Sequence, residues 1–267
     1  MDLLLKGKRA LVTGGSRGIG KAVAMALAQE GVSVAILARN EAIVQITVAE
    51  IATLSGQHVV GVCADTTQDA QVQHAVKLAK EMLGGTIDIL VNAAAEPGGY
   101  AAPPKLEQIQ AAYFHSELDT KVMGYIRCAR EVTQDMKTNG WGRIINISGL
   151  AARSTGNTVG SIRNVALSAL SKNMADELGP SGINVNVVHP GYTRTERTPA
   201  TVQKKALEQG VSVEEIEIQM ASRNSIRHVV EAAEVADVVV FLCSSRSRAI
   251  NGDSIAVGGG MPNSIHY

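Results

Sequence analysis

The sequence predicts a doubly wound parallel α/β sheet of about seven strands with helices on both faces, the Rossmann type. Three observations predict it. Short runs that are apolar at nearly every position alternate with alanine-rich amphipathic stretches along the chain. Those runs lack the alternation of a sheet with one wet face, so both faces are covered. The first run also leads directly into a glycine-rich turn that opens a helix, an arrangement suited to receiving phosphate.

Each element has its own warrant. Strands are expected at residues 10–13, 32–38, 59–63, 87–92, 143–148, 183–188 and 254–257, where β-branched residues and leucine dominate. Helices are expected at 21–29, 41–54, 68–83, 106–136, 165–178 and 232–243, where apolar residues recur at helical spacing. Right-handed crossovers through those helices wind the sheet in both directions. No linker, repeat or low-complexity tract interrupts the pattern, so residues 1–267 are expected to form one dinucleotide-binding domain. The polar stretch at 197–227 follows a strand end and reads as an irregular, mobile flap over a pocket.

Composition narrows the function classes. With 45% apolar residues, zero formal charge and a pI near 7, the chain has no basic excess for nucleic acid or an anionic membrane. The apolar run at 3–5 is too short for a signal peptide and no window approaches a membrane span. Cys63, Cys128 and Cys243 are widely spaced without a pairing signature and are expected to be reduced and buried. A cytoplasmic protein with a small-molecule substrate or ligand is the expectation. The six histidines are scattered without HxxxH or HExxH spacing, so no metal site is expected.

The turn reads Thr13-Gly14-Gly15-Ser16-Arg17-Gly18-Ile19-Gly20. Its glycines permit a tight bend and let backbone N–H groups reach a pyrophosphate at the helix N-terminus. An acidic residue ending the second strand would hold the ribose hydroxyl of NAD. This chain has Ala38-Arg39 there, and Arg17 and Arg39 can embrace a 2′-phosphate with their planar donor forks, which favours NADP(H) over NAD(H). Asp65, after the third strand, either accepts from an adenine amino group or caps the helix that follows.

These motifs give the chain a family resemblance that covers nearly all of it. It resembles the short-chain dehydrogenase/reductases: Thr13 to Gly20 is similar to the family's TGxxxGxG, and Asn92-Ala93-Ala94-Ala95 to its NNAG. Pro190-Gly191 with Thr195 four residues later is similar to PGxxxT, and Ile250-Asn251-Gly252 with Gly258-Gly259 to its closing strand. The resemblance implies cofactor contacts from Gly14, Ser16, Arg17, Gly18, Ile19, Gly20, Arg39, Asp65, Asn92, Ala94, Asn164, Pro190, Gly191, Thr193 and Thr195. It also implies a homodimer or homotetramer paired through the helices at 106–136 and 165–178.

The same resemblance implies chemistry that this chain does not carry in the usual residues. The family's proton donor is a tyrosine with a lysine four residues on, aided by a serine and by an asparagine on the long central helix. In register, Gly160 stands at the tyrosine position, Asn164 at the lysine, Gly149 at the serine and Lys121 at the asparagine. The enoyl-reductase spacing, with lysine seven residues after tyrosine, fails too.

Ser148, Asn164, Lys121 and Tyr192 are the catalytic candidates that remain. Ser148 points either into the pocket or into the sheet. Lys121 either acts as acid or base or pairs with Glu117 one helical turn earlier. Tyr192 either donates a proton or merely lines the pocket. Glu96, Tyr100, Ser154, Asn157, Ser161, Arg163 and His189 are further polar groups near the pocket, with Ser161 read as a helix cap. Two functions follow: an NADP(H)-dependent oxidoreductase with a non-standard proton donor, or a non-catalytic NADP(H)-binding protein with a sensing or partner-binding role.

Overall fold

The computed structural model describes residues 1–95 and 102–262. Strands β1 (Arg9–Thr13), β2 (Ser33–Ala38), β3 (Val59–Cys63), β4 (Ile89–Asn92), β5 (Gly142–Ile147), β6 (Ile183–Pro190) and β9 (Ser254–Val257) form one parallel sheet. Its order is β3-β2-β1-β4-β5-β6-β9. The predicted doubly wound sheet is therefore observed, with each predicted strand at its place.

Alternation across the pleat explains why the strands are apolar throughout. From β1, Ala10 and Val12 pack on one face and Leu11 on the other; from β2, Val34 and Ile36 oppose Ala35 and Leu37. The first face is covered by α1 (Gly18–Gln29), α2 (Glu41–Ser55) and α9 (Ala232–Cys243), through residues such as Leu27, Ile51 and Val239. The second is covered by α3 (Asp69–Met82), α5 (Gly124–Asn139) and α6 (Thr158–Leu178), through Val76, Val132 and Ala175. Two buried layers of this kind dominate the stabilisation, at about 25 cal/mol per Å² of apolar surface removed from water.

Four expectations are corrected. The helix expected over 106–136 is not continuous: α4 (Ala111–Leu118) and α5 are joined by a wide π-helical turn, Asp119–Met123, preceded by a short 3₁₀ turn at Leu106–Gln108. Helix α6 begins before residue 165, because the Asn157 side chain accepts from Gly160 N–H at 2.9 Å and caps its first turn; Ser161 is not the cap. The flap is not irregular but holds α7 (Thr198–Gln209) and α8 (Val213–Ala221), packed on each other through Val202, Ala206, Ile216 and Met220. Two short strands beside it, β7 (Thr193–Arg194) and β8 (Val230–Glu231), tie its base together. Finally, Cys63 is exposed rather than buried, since it ends β3 facing outward, whereas Cys128 and Cys243 are buried as expected.

Candidate active site

Strand order reverses between β1 and β4, so the connections leaving these two strands depart in opposite directions and leave a crevice at their C-terminal ends. A cleft of about 620 Å³ opens there. Its wall is built from the β1–α1 turn, the ends of β2 to β6, the π-helical turn, α6 and the start of the flap.

One end is shaped for an anion. Gly14 adopts φ +65°, and a Cβ there would stand 2.7 Å from the Ala93 carbonyl oxygen, so only glycine lets the two chains pass. The Thr13 hydroxyl accepts from Ala93 and Ala94 N–H at 3.1 and 3.2 Å, fixing the β4 end against the turn. Thr47 on α2 donates to the Ser16 carbonyl at 3.1 Å. At the N-terminus of α1, Gly18 N–H donates to both carboxylate oxygens of Glu196, each at 3.1 Å. An acidic oxygen pair thus sits at the first turn, where helix dipole and unpaired N–H groups favour negative charge. Arg17 and Arg39 both line this end. Asp65 lines it too, its Oδ1 accepting from Thr67 N–H and hydroxyl at 2.9 and 2.8 Å. Asp65 is therefore not the cap of α3, which starts four residues later at Asp69 after Gln68.

The other end has a polar floor. Lys121, in the π-helical turn, donates from Nζ to the Ser148 carbonyl at 2.9 Å and to Asn164 Oδ1 at 3.1 Å. It does not pair with Glu117, because Arg163 from α6 binds that carboxylate instead. Burial pushes the Lys121 ammonium down to about 7; the Arg163 guanidinium adds to the fall and the Glu117 carboxylate opposes it. Ser148 turns its hydroxyl toward α6, donating to the Asn164 carbonyl at 3.1 Å. His189 at the end of β6 donates from Nδ1 to the Gly149 carbonyl at 3.1 Å, and its Nε2 accepts from Ser168 at 3.2 Å. Burial holds His189 down at about 4, so the ring is neutral. The phenol of Tyr125, fully buried, donates to the Ile147 carbonyl at 2.9 Å, and burial raises it well above the ordinary tyrosine value.

Glycines at 149 and 160 are matched by their neighbours. A Cβ at Gly149 would meet Asn164 Nδ2 at 3.1 Å, and one at Gly160 would meet Asn157 Cγ at 2.7 Å. Asn157 thus fills the space a side chain at 160 would need. Tyr192 lines the cleft and packs against the flap cluster, with Lys205 Nζ 6.0 Å from its ring centroid.

Gly14, Ser16, Arg17, Gly18, Ile19, Gly20, Arg39, Asp65, Ala94, Asn164, Pro190, Gly191, Thr193 and Thr195 all line the cleft, as do Ser148, Lys121 and Tyr192. Asn92 does not. It is completely buried behind the wall, where its Nδ2 donates to Asn146 Oδ1 at 3.0 Å and Asn146 in turn donates to Ser171. It ties β4 to β5 beneath the site. Ser161 donates to the Ser154 carbonyl. Glu96 and Tyr100 lie outside the described residues. Glu196 was missed by sequence reasoning. An acid directly after Thr195 at the flap entrance was its only signal.

Among the described residues, no group of three His, Cys, Asp or Glu side chains could hold a metal ion, and no helix is long and apolar enough to cross a membrane. A family model described as enoyl-(acyl carrier protein) reductase matches residues 14–262. The chain is 34% identical to the short-chain reductase protein NovJ of Streptomyces niveus, over 95% of this chain and 93% of the relative. It is 31% identical to the NADPH-dependent reductase BacG of Bacillus subtilis, over 97% and 99%. Its fold is similar to that of L-sorbose reductase from Gluconobacter frateurii, solved with NADPH and L-sorbose, with a TM-score of 0.91, 26% identity and coverage of 99% and 100%.

Proposed function

Because this chain belongs to the short-chain dehydrogenase/reductase family, we propose that it is an NADP(H)-dependent oxidoreductase of a small molecule, working without the family's tyrosine–lysine donor. The observation that carries the cofactor is the anion-shaped end of the cleft, flanked by Arg17 and Arg39. The residues present fit the group. Gly14 leaves a cradle that a Cβ would fill, and Gly18 N–H already engages a carboxylate as it would a phosphate. NADPH-dependent relatives support the same assignment.

When bound, NADPH supplies a hydride; the chain's own residues do the rest. In this reading Arg17 and Arg39 embrace the 2′-phosphate, and Asp65 uses its remaining carboxylate oxygen for the adenine amino group. Pro190, Gly191, Thr193 and Thr195 border the nicotinamide end. Asn164 offers only its Nδ2 as donor, since Lys121 takes its Oδ1. In this reading position 160, a glycine with the Asn157 side chain against it, supplies no phenol. That filled space also favours the second reading, a non-catalytic NADP(H)-binding protein.

A fluorescence titration with NADPH and NADH tests the proposal. Tight NADPH and weak NADH binding are expected. Replacing Arg17 and Arg39 together by alanine removes charge-assisted bonds of about 1.5–3 kcal/mol each and should abolish the preference. Equal affinity for both nucleotides in the wild-type protein would sink the assignment. Saturable NADPH binding without turnover on a broad carbonyl and enone panel would favour the second reading.

A further inference from the structure

The cleft floor holds a cation to which the cofactor reading gives no task. Lys121 lines the cleft yet is only 4% exposed, wedged in the π-helical turn between α4 and α5. Two of its three Nζ protons go to the Ser148 carbonyl and Asn164 Oδ1, which leaves one. The carboxylate that acts on it, Glu117, is held by Arg163.

We infer that Lys121 is the proton donor of this cleft, giving its remaining Nζ–H to the oxygen of a bound carbonyl, with Asn164 as the residue that positions it. This rests on the reading of the chain as an NADP(H)-dependent reductase. Carbonyl reduction needs one proton at oxygen for each hydride accepted at carbon. The Nζ–H bond breaks, an O–H bond forms, and the C=O π electrons pass to the oxygen. A neutral amine remains and recovers its proton from water. In alcohol oxidation the neutral amine takes the proton.

The neighbours narrow the choice to Lys121. Among the described residues, three neighbouring acidic hydrogens are already engaged: Ser148 donates to the Asn164 carbonyl, Tyr125 to the Ile147 carbonyl and His189 to the Gly149 carbonyl. Arg163 is committed to the Glu117 carboxylate. Tyr192 lines the same cleft and packs against the flap cluster. The groups that act electrostatically with Lys121 are Glu117 from α4, Arg163 from α6 and His189 from β6. An ammonium brought down to about 7 has both forms populated near neutrality, as an acid that must be recharged each cycle requires.

The test uses full-length protein grown with isotope-labelled lysine. The Lys121 side-chain signal, identified by its loss in Lys121→Met, is followed by NMR across pH without nucleotide. Titration close to 7 is expected, and Asn164→Asp should raise the midpoint by about one unit or more by placing a carboxylate on Nζ. In a second arm, Lys121→Met and Lys121→Arg are assayed for NADPH oxidation on aldehydes and vicinal diketones. Both should lose ~10²- to 10⁴-fold in turnover while still binding NADPH. Lys121→Arg keeps the charge and reads the same step if the methionine variant does not fold. An ordinary lysine midpoint, a midpoint unmoved by Asn164→Asp, or wild-type turnover in both variants would overturn the inference. Failure of the wild-type protein to bind NADPH overturns the cofactor reading instead, a result the fluorescence titration reports separately.

Discussion

His189 is wired on both ring nitrogens, to Gly149 and Ser168, and stays neutral down to about 4. An unfolded histidine takes up its proton near 6.5. Between those values the unfolded chain binds a proton that the folded chain refuses, so stability falls as pH falls through that window and is fully present above it. His189→Gln should shrink the loss between about pH 7 and about pH 5, measured by urea unfolding; an unchanged difference would assign the acid sensitivity elsewhere. Residues whose place is set by neighbours in sequence were legible beforehand. Gly14 and Gly18 are required by one contiguous turn, and Arg17 and Arg39 stand at fixed distances from strand ends. Lys121 and Asn164 were each singled out, but their meeting was not, because they lie 43 positions apart on different elements. A lysine four residues after Glu117 looks paired in one dimension, and only packing shows Arg163 taking that carboxylate.

At the scale of elements, periodicity located the strands because a fully buried strand is apolar at almost every position, a signal strong enough to survive local noise. Interruptions within a helix carry no such signal. The π-helical turn at Asp119–Met123 changes the winding without a proline or glycine inside it, so nothing in the sequence marks it. The flap helices were hidden for another reason. Their buried faces are small, resting on Val202, Ala206, Ile216 and Met220, and the rest is charged. One clue was present: Ser212 and Glu215 form a reciprocal capping box, with bonds of 3.1 and 2.8 Å, that starts α8. Ser212→Ala should cost about 1 kcal/mol locally. Hydrogen exchange should show faster opening over α8 with the sheet unaffected; equal exchange in both proteins would remove the cap from the account.

For the molecule as a whole, strand order fixes where the site must be. Tyr113 and Met123 on the α4–α5 side are each 39% exposed, and Ile162 and Val165 on α6 are 44% and 50% exposed. We propose a homodimer or homotetramer joined through these helices, and sedimentation of a monomer at micromolar concentration would refute it. The Glu196 carboxylate on Gly18 N–H has a different consequence at this scale. It is a tethered competitor: a nucleotide phosphate and the chain's own acid want the same donors, and the acid is always at hand. Apparent affinity is then the intrinsic affinity scaled by the fraction of molecules in which the acid has let go. Charge-assisted bonds are roughly twice as strong as neutral ones, so Glu196→Gln should bind NADPH about three- to tenfold more tightly, and an unchanged or weaker dissociation constant would refute the competition.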